Sequence, residues 1–327
     1  MSKYKSIEIC AGAGGQALGL EQAGFEHAVL VEIEPLACQT LKYNRPTWNV
    51  ISKDIKEFTA TEYTNIDLLA GGVPCPPFSY GGKQLGQMDE RDLFPEALRL
   101  VKECQPKAVM LENVRGLLDN KFEVYRKEII AKLKSMGYEA EWKLLNSSDY
   151  GVSQLRPRAV LVALKKEYYQ YFTWPEKLTK KPISVGELLF EEMASLGWEN
   201  ANAWARNAKT IAPTLVGGSK KHGGADLGPT RAKQAWAILG VDGKGLADMP
   251  PVNGLQTMPR LTLQMTALIQ GFPINWKFIG KKTPAYRQVG NAFPPPVARA
   301  VGTSIKKAFE LYEQKSTKGA GVEVKAA

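Results

Sequence analysis

Cys75 sits where a thiol can act as a nucleophile. It stands in Gly71-Gly72-Val73-Pro74-Cys75-Pro76-Pro77-Phe78-Ser79, directly after the apolar run Ile66-Asp67-Leu68-Leu69-Ala70. That run is long enough for one buried strand, which the glycines and prolines end abruptly. A thiol at a strand's exit lies on the edge where open α/β sheets bind ligands, and its thiolate attacks electrophilic carbon. A buried cysteine capping the strand fits this stretch equally well. A second group follows the apolar Ala108-Val109-Met110-Leu111, which delivers Glu112-Asn113 to the same edge. Desolvation there raises a carboxyl pKa and favours its hydrogen-donating form, although a turn or capping carboxylate is the simpler alternative. The third is Gln154-Leu155-Arg156-Pro157-Arg158, leading into the buried strand Ala159–Leu164. Pro157 holds an extended turn and sends the two arginines to opposite sides, so one can face the crevice; a solvated surface pair is the alternative.

These groups need a frame. Ser6–Cys10 reads as a strand, Ala11-Gly12-Ala13-Gly14-Gly15 as a turn, and the residues through Leu18, Leu20 and Ala23 as a helix. Such a turn gathers free backbone N–H groups at a helix amino end, where an anionic group binds. The strand Ala28–Val31 ends in Glu32, twenty residues after Gly12, the spacing at which a carboxylate takes ribose hydroxyls. A helix from Pro35 to Leu41 and a strand around Val50-Ile51, with Asp54 at its end, complete what reads as a nucleoside pocket. Three ordinary strand-to-helix turns of a doubly wound sheet are the alternative. Tyr80–Arg91 is a glycine- and charge-rich loop suited to closing over a substrate. The amphipathic helix Leu93–Cys104 follows, then a helix over 122–136 and a strand over 138–146.

From Glu167 to Pro259 the βα alternation stops. Trp174, Trp198, Trp204 and Trp236 lie here, and between Arg206 and Lys233 there are six Lys or Arg against one Asp. Glycine-rich backbone with basic side chains can approach phosphates and base edges closely, and a flexible basic surface is the alternative. Regular structure returns with a helix from Leu261 to Gln270. Tyr286–Pro294 then precedes a helix from Pro295 to about Leu311, and a frayed tail follows Gln314.

Composition sets the class. With 327 residues, 44% hydrophobic and 23% charged, the chain is expected to form one large domain with a smaller one attached. Lys and Arg exceed Asp and Glu by 43 to 33, a net +10 that favours a polyanionic partner. Cys10, Cys38, Cys75 and Cys104 are too widely spaced for a structural zinc or a redox pair, so no metal is expected. No stretch reads as a signal peptide or as the ~18 apolar residues of a membrane span, so a cytoplasmic, non-membrane protein is expected.

In their order along the chain, Pro74-Cys75, Glu112-Asn113-Val114, Gln154-x-Arg156-x-Arg158 and Gly290-Asn291 resemble the motifs of DNA (cytosine-5) methyltransferases of the bacterial restriction–modification type. The resemblance runs from Gly12 to Asn291. It implies an α/β fold, a doubly wound and mostly parallel sheet of the S-adenosylmethionine-dependent methyltransferase type, with a smaller, irregular, β-rich target-recognition domain. The expected boundaries are 1–170 for catalysis and cofactor binding, 171–282 for target recognition, 283–314 returning to the catalytic domain, and a flexible tail over 315–327.

By the same resemblance Cys75 adds to carbon 6 of a flipped cytosine, Glu112 hydrogen-bonds ring nitrogen 3 and the amino group, Arg158 holds the ring oxygen and Glu112, and Arg156 lies near them. S-adenosylmethionine would meet Cys10, Gly12, Gly14, Gly15 and Asn291, with its ribose at Glu32, its adenine by Ile33, Asp54 and Ile55, and Leu93 packed against it. DNA would meet Ser79, Lys83 and Gln84 in the closing loop, and Arg206, Lys209, Thr214, Lys220 and Lys221 in the recognition segment, with Thr214-Leu215 matching a pair common in the family. Double-stranded DNA is the implied partner. A restriction endonuclease would act as a functional counterpart without a stable complex, and the enzyme is expected to be a monomer associated with the nucleoid.

The chain departs from the family pattern at Pro76, where glutamine is usual, at Cys10, where an aromatic residue commonly packs on adenine, and at Glu8, where aspartate is usual. Met265 and Leu268 replace an ion pair. Three rival readings are weaker. An RNA cytosine methyltransferase would carry a Cys-Phe-Thr signature that is absent, a nucleotide-dependent oxidoreductase leaves Cys75, Glu112 and the arginines unexplained, and an inactive DNA-binding protein would not need them.

Overall fold

Long apolar runs make the central sheet. In a computed structural model, residues 4–74, 92–218 and 224–323 are described, with side chains to residue 317. The strands are β1 (Tyr4–Ile9), β2 (Phe25–Glu32), β3 (Val50–Ser52), β4 (Leu68–Gly71), β5 (Ala108–Val114), β6 (Tyr138–Asn146) and β7 (Pro157–Lys165). They form one seven-stranded sheet in the order β3-β2-β1-β4-β5-β7-β6. The first five pair in parallel, while β7 runs antiparallel to both β5 and β6. The chain leaves β1 for β2 and β3 on one side and returns to β4 on the other, so the order reverses between β1 and β4. Crevices form at such a reversal, outside the strands' carboxyl ends.

Helices cover both faces, which is why the strands read as continuous apolar runs rather than alternating ones. On one face Ile7, Val31, Leu69, Val109 and Leu161 pack with α3 (Phe94–Cys104) and α4 (Glu123–Ser135), through Phe94, Val101 and Leu133. On the other, Leu68, Ala70, Met110, Val160 and Val162 meet α1 (Gly15–Ala23) and α11 (Pro295–Glu323), through Leu20, Val297, Val301 and Phe309. The helix α2 (Pro35–Asn44) joins β2 to β3, and the short α5 (Lys166–Tyr169) follows β7.

The region 171–282 is not β-rich. Among the described residues it holds α6 (Val185–Ala194), α7 (Ala201–Asn207), α8 (Thr230–Ile238) and α9 (Leu263–Ile269), with only isolated bridges such as Gln154 to Ala212 and Gly197 to Val252. The reason is local. Ser184 accepts from the backbone N–H of Glu187, whose carboxylate takes the N–H of Ser184, a reciprocal cap that starts α6. Val185, Leu189 and Met193 then recur every fourth residue on its buried face. They share a separate apolar core with Trp198, Trp204, Trp236, Leu261, Met265 and Tyr286.

Two more boundaries differ from expectation. The segment expected to precede the last helix is itself helical, α10 (Lys282–Asn291), and α11 continues through Glu323 rather than ending near Leu311. The last turn of α10 is packed by the segment before Gly218. Gly290 and Gly217 approach so closely that a Cβ on Gly290 would lie 2.4 Å from the nitrogen of Gly217. Any side chain at either position would push the segment off α10.

Candidate active site

The carboxyl ends of β1, β2, β4 and β5, together with the starts of α1 and α2, α10 and the residues just after it, enclose a cavity of about 610 Å³. That volume suits a nucleoside-sized ligand. Cys10, Gly12, Gly15, Glu32, Ile33, Asp54, Ile55, Leu93 and Asn291 line it, as expected of a cofactor wall, and Glu112 lines its other end. Gly14 does not. A Cβ there would point at Leu41, 2.7 Å away, and at Trp276, so this glycine serves the turn (φ 86°) rather than the cavity. Lys53, Lys56, Gln16, Arg287 and Phe293 line the cavity without having been singled out for it, and so does Glu8, noted only as a departure from aspartate.

At the nucleoside end the backbone holds the carboxylate. Glu32 accepts from the N–H of Gly12 at 2.6 Å and from that of Glu34 at 2.8 Å, one on each oxygen. Burial raises its pKa, and the two N–H groups act against that shift. Both oxygens keep a free lone pair, so the group can still accept from sugar hydroxyls. Gly12 (φ +55°) leaves open space where a Cβ would project, which lets a ligand approach the backbone. Cys10 adopts φ 51° beside them, and burial, then Glu32 and Asp54, push its thiol well above the usual range. It is a neutral lining group, not a second nucleophile.

At the other end Glu112 and Arg158 form a buried ion pair, Nε to Oε1 2.7 Å, each side chain about one-tenth exposed. The ladder explains the meeting. Glu112 lies opposite Val160 in the antiparallel β5–β7 pair, and Arg158, two residues away, projects from the same face. Burial raises the pKa of Glu112 against the opposing pull of Arg158 and Arg156, which favours the form that donates a hydrogen bond. Gly72 makes the room, since a Cβ there would stand 3.3 Å from the Glu112 carboxyl. Asn113 stands in the Glu112-Asn113-Val114 motif with no role of its own expected. Its Nδ2 donates to the carbonyl of Val73 at 2.8 Å, tying the end of β5 to the segment that leads into Cys75.

Arg156 lies near enough to Glu112 and Arg158 to feel both charges, but its hydrogen bonds go elsewhere. It is 0% exposed, and its guanidinium donates to the carbonyls of Leu215 (2.7 Å), Gly290 (2.8 Å) and Ala292 (3.0 Å). Burial and the charge of Arg158 disfavour its cation, but a guanidinium keeps its proton in proteins, so the three carbonyls solvate it. It is a clamp joining β7, the 212–218 segment and α10. Arg156→Met would strand three buried acceptors, and a loss of about 3–5 kcal/mol in urea unfolding is expected. Gln154 strengthens the same join, donating to Gln270 Oε1 at 2.7 Å and accepting from the N–H of Leu215 at 2.9 Å.

Thr214 donates its hydroxyl to the carbonyl of Leu155, so it is stapled to the core segment and offers DNA only acceptor capacity. Arg206 and Lys209 are exposed at and after the end of α7, outside the cavity wall. Cys75, Ser79, Lys83, Gln84, Lys220 and Lys221, with the Tyr80–Arg91 loop, lie outside the described residues. Among the described residues no helix is long and apolar enough to cross a membrane.

Known proteins match this arrangement over nearly the whole chain. The chain is 58% identical over 314 residues to the type II methyltransferase M.NgoMIV of Neisseria gonorrhoeae, covering 94% of this chain and 99% of that protein. It is 55% identical over 317 residues to the type II methyltransferase M.NaeI of Lentzea aerocolonigenes, covering 95% and 76%. Among solved structures, a candidate DNA modification methyltransferase encoded within a prophage (E. coli) superposes with a TM-score of 0.66 at 22% identity, covering 94% of this chain and 99% of that one, a likeness of fold. With the C-5 cytosine-specific DNA methylase profile matching residues 4–307, the chain belongs to that family and is an enzyme of the restriction–modification type.

Proposed function

We propose that this enzyme transfers a methyl group from S-adenosylmethionine to carbon 5 of cytosine within a specific sequence of double-stranded DNA. The observation that carries this reading is one cavity with a backbone-held Glu32 at one end and the Glu112–Arg158 pair at the other. When bound, the cofactor supplies the electrophilic methyl group. Cys75 adds as thiolate to carbon 6 of the base, which makes carbon 5 enamine-like and able to attack that methyl. Glu112 donates to ring nitrogen 3 as the thiolate adds, so negative charge does not build up on the ring. Arg158 holds Glu112 in place and meets the ring oxygen. Loss of the carbon-5 proton then expels Cys75 and restores the aromatic ring. Because the target atom is stacked inside the duplex, the base must leave the helix to reach these groups.

The nucleoside end uses Glu32 for the ribose, Ile33, Asp54 and Ile55 for the adenine, and the Gly12–Gly15 turn with Asn291 for the amino-acid part. Residues 171–282 read the sequence, the Tyr80–Arg91 loop closes on the DNA, and the product protects DNA from a separate endonuclease, with the methyltransferase acting as a monomer in the cytoplasm. Incubation with tritiated S-adenosylmethionine and mixed-sequence duplexes, with and without 5-fluorocytosine, tests the reading. Label in 5-methylcytosine and a stable adduct on the fluorinated duplex are expected; absence of methylation on every duplex would overturn it.

Arg206→Ala and Lys209→Ala are expected to weaken duplex binding. If each contacts a phosphate, the slope of log affinity against log salt falls by about one per residue, across all sequences. A change in which sites are modified would instead mark base reading.

A further inference from the structure

Described residues tie down the chain on both sides of the segment 75–91, which carries Cys75. On the leading side the Nδ2 of Asn113 donates to the carbonyl of Val73 at 2.8 Å. On the returning side the backbone N–H of Leu93 donates to the carbonyl of Pro74 at 3.3 Å, so the chain leaves and re-enters the fold at one place. Pro74 and Leu93 line the cavity together with Glu112. The residue before Cys75 is thus held by the residue before α3.

What holds Leu93 is a pair of side chains outside the cavity wall. Asp92 is buried, and its Oδ1 accepts from the N–H of Phe94, the first residue of α3, at 3.1 Å. Its Oδ2 accepts from the hydroxyl of Tyr125, on α4, at 2.5 Å. Both bonds are charge-assisted by the carboxylate, and together they fix the backbone of residues 92–94 against α4. Ring packing fixes the tyrosine in turn. Its ring meets the fully buried Phe94 edge-on, centroids 6.0 Å apart, and Phe94 packs on Trp142 of β6 at 5.9 Å. Neither Asp92 nor Tyr125 lines the cavity.

Resting on the covalent reading above, we propose that Tyr125 is a positioning residue for the reaction: through Asp92 and the Leu93–Pro74 bond, its hydroxyl sets the place of Cys75 relative to Glu112. Addition to carbon 6 needs the sulfur and the acid on the same ring at the same moment, and a misplacement of about 1 Å can cost about 10²-fold in rate. A shift of residues 92–94 passes through one backbone hydrogen bond to the residue that precedes the nucleophile. Asn113 restrains the same chain from the side of Glu112, so the two anchors act on one spacing.

Tyr125→Phe removes the hydroxyl and keeps the ring against Phe94. Trapping of the full-length enzyme on excess 5-fluorocytosine duplex with S-adenosylmethionine separates two quantities. Adduct per enzyme gives the competent fraction, and its rate constant gives the chemistry. The rate constant is expected to fall by about 10- to 100-fold at an unchanged adduct yield, with S-adenosylhomocysteine and duplex affinities within a fewfold of wild type. Asp92→Ala should cost at least as much, and adding Tyr125→Phe to it should cost nothing more, because the same bond is already gone. Asp92→Asn should recover most of the rate lost in Asp92→Ala, its carbonyl taking the Phe94 N–H while its amide donates to the Tyr125 oxygen. An unchanged rate constant in Tyr125→Phe, with or without a lower adduct yield, would overturn the inference and leave the pair a structural contact. A parallel loss of S-adenosylhomocysteine affinity would place the effect on the cavity wall at Leu93 and overturn it as well. Either result leaves the covalent reading standing, whereas a wild-type enzyme that forms no adduct on any duplex overturns both.

Discussion

Cys75→Ala is expected to remove turnover, a loss of at least about 10⁴-fold, while S-adenosylmethionine and duplex affinities stay within a fewfold of wild type. The reason is chemical. Carbon 5 of cytosine is too weak a nucleophile to attack a methyl sulfonium unless carbon 6 carries an added group, and no other described thiol can take that part. Cys38 and Cys104 are buried, and burial keeps the Cys10 thiol neutral. An adduct with 5-fluorocytosine DNA should disappear in the variant, and filter binding should show an intact complex. Ordinary methylation by Cys75→Ala would dismiss the covalent route. Loss of binding along with turnover would instead make the thiol a structural group.

The sheet was legible because its signals are strong. Buried strands such as Ala108–Val114 and Pro157–Lys165 carry long apolar runs, and glycine turns and acidic residues mark their carboxyl ends. Glu112 could be named for the same reason, from its residue type at a strand's end. Alternation sent the two arginines to opposite sides, and the family resemblance singled out Arg158. The alternation also separated Arg156 from Arg158, but it could not say what Arg156 meets. Its partners are carbonyls of residues 215, 290 and 292, brought to it only by the tertiary fold.

Region 171–282 failed for another reason. Its helices α6 to α9 are 7 to 10 residues long, so each shows barely two turns of apolar periodicity, and the β-rich expectation came from the family resemblance rather than from these residues. The reciprocal cap at Ser184 and Glu187 was readable and points the right way. Glu8 illustrates the limit at the site itself. The sequence marks it as a departure from aspartate, but only the fold shows that it is buried in the cavity wall.

Glu112→Gln and Arg158→Ala should separate the chemical from the structural role of the ion pair. Glutamine keeps the shape and can still hydrogen-bond Arg158, but it has no acid proton to share with ring nitrogen 3. A fall in kcat of about 10²–10⁴-fold is expected, with little loss of stability. Arg158→Ala removes the group that opposes the burial of Glu112, so the pKa of Glu112 rises further. A carboxyl whose folded pKa lies above its unfolded value favours the fold at low pH and loses that contribution as pH rises through the folded value. Stability of Arg158→Ala should therefore decline more steeply than wild type as pH rises above the ordinary carboxyl range. Adding Glu112→Gln to it should flatten the curve again, because the titrating group is gone. Urea unfolding across that range reads the difference. If the single and double variants track each other, the buried carboxyl is not what Arg158 balances, and the pair's role in holding a proton at nitrogen 3 falls with it.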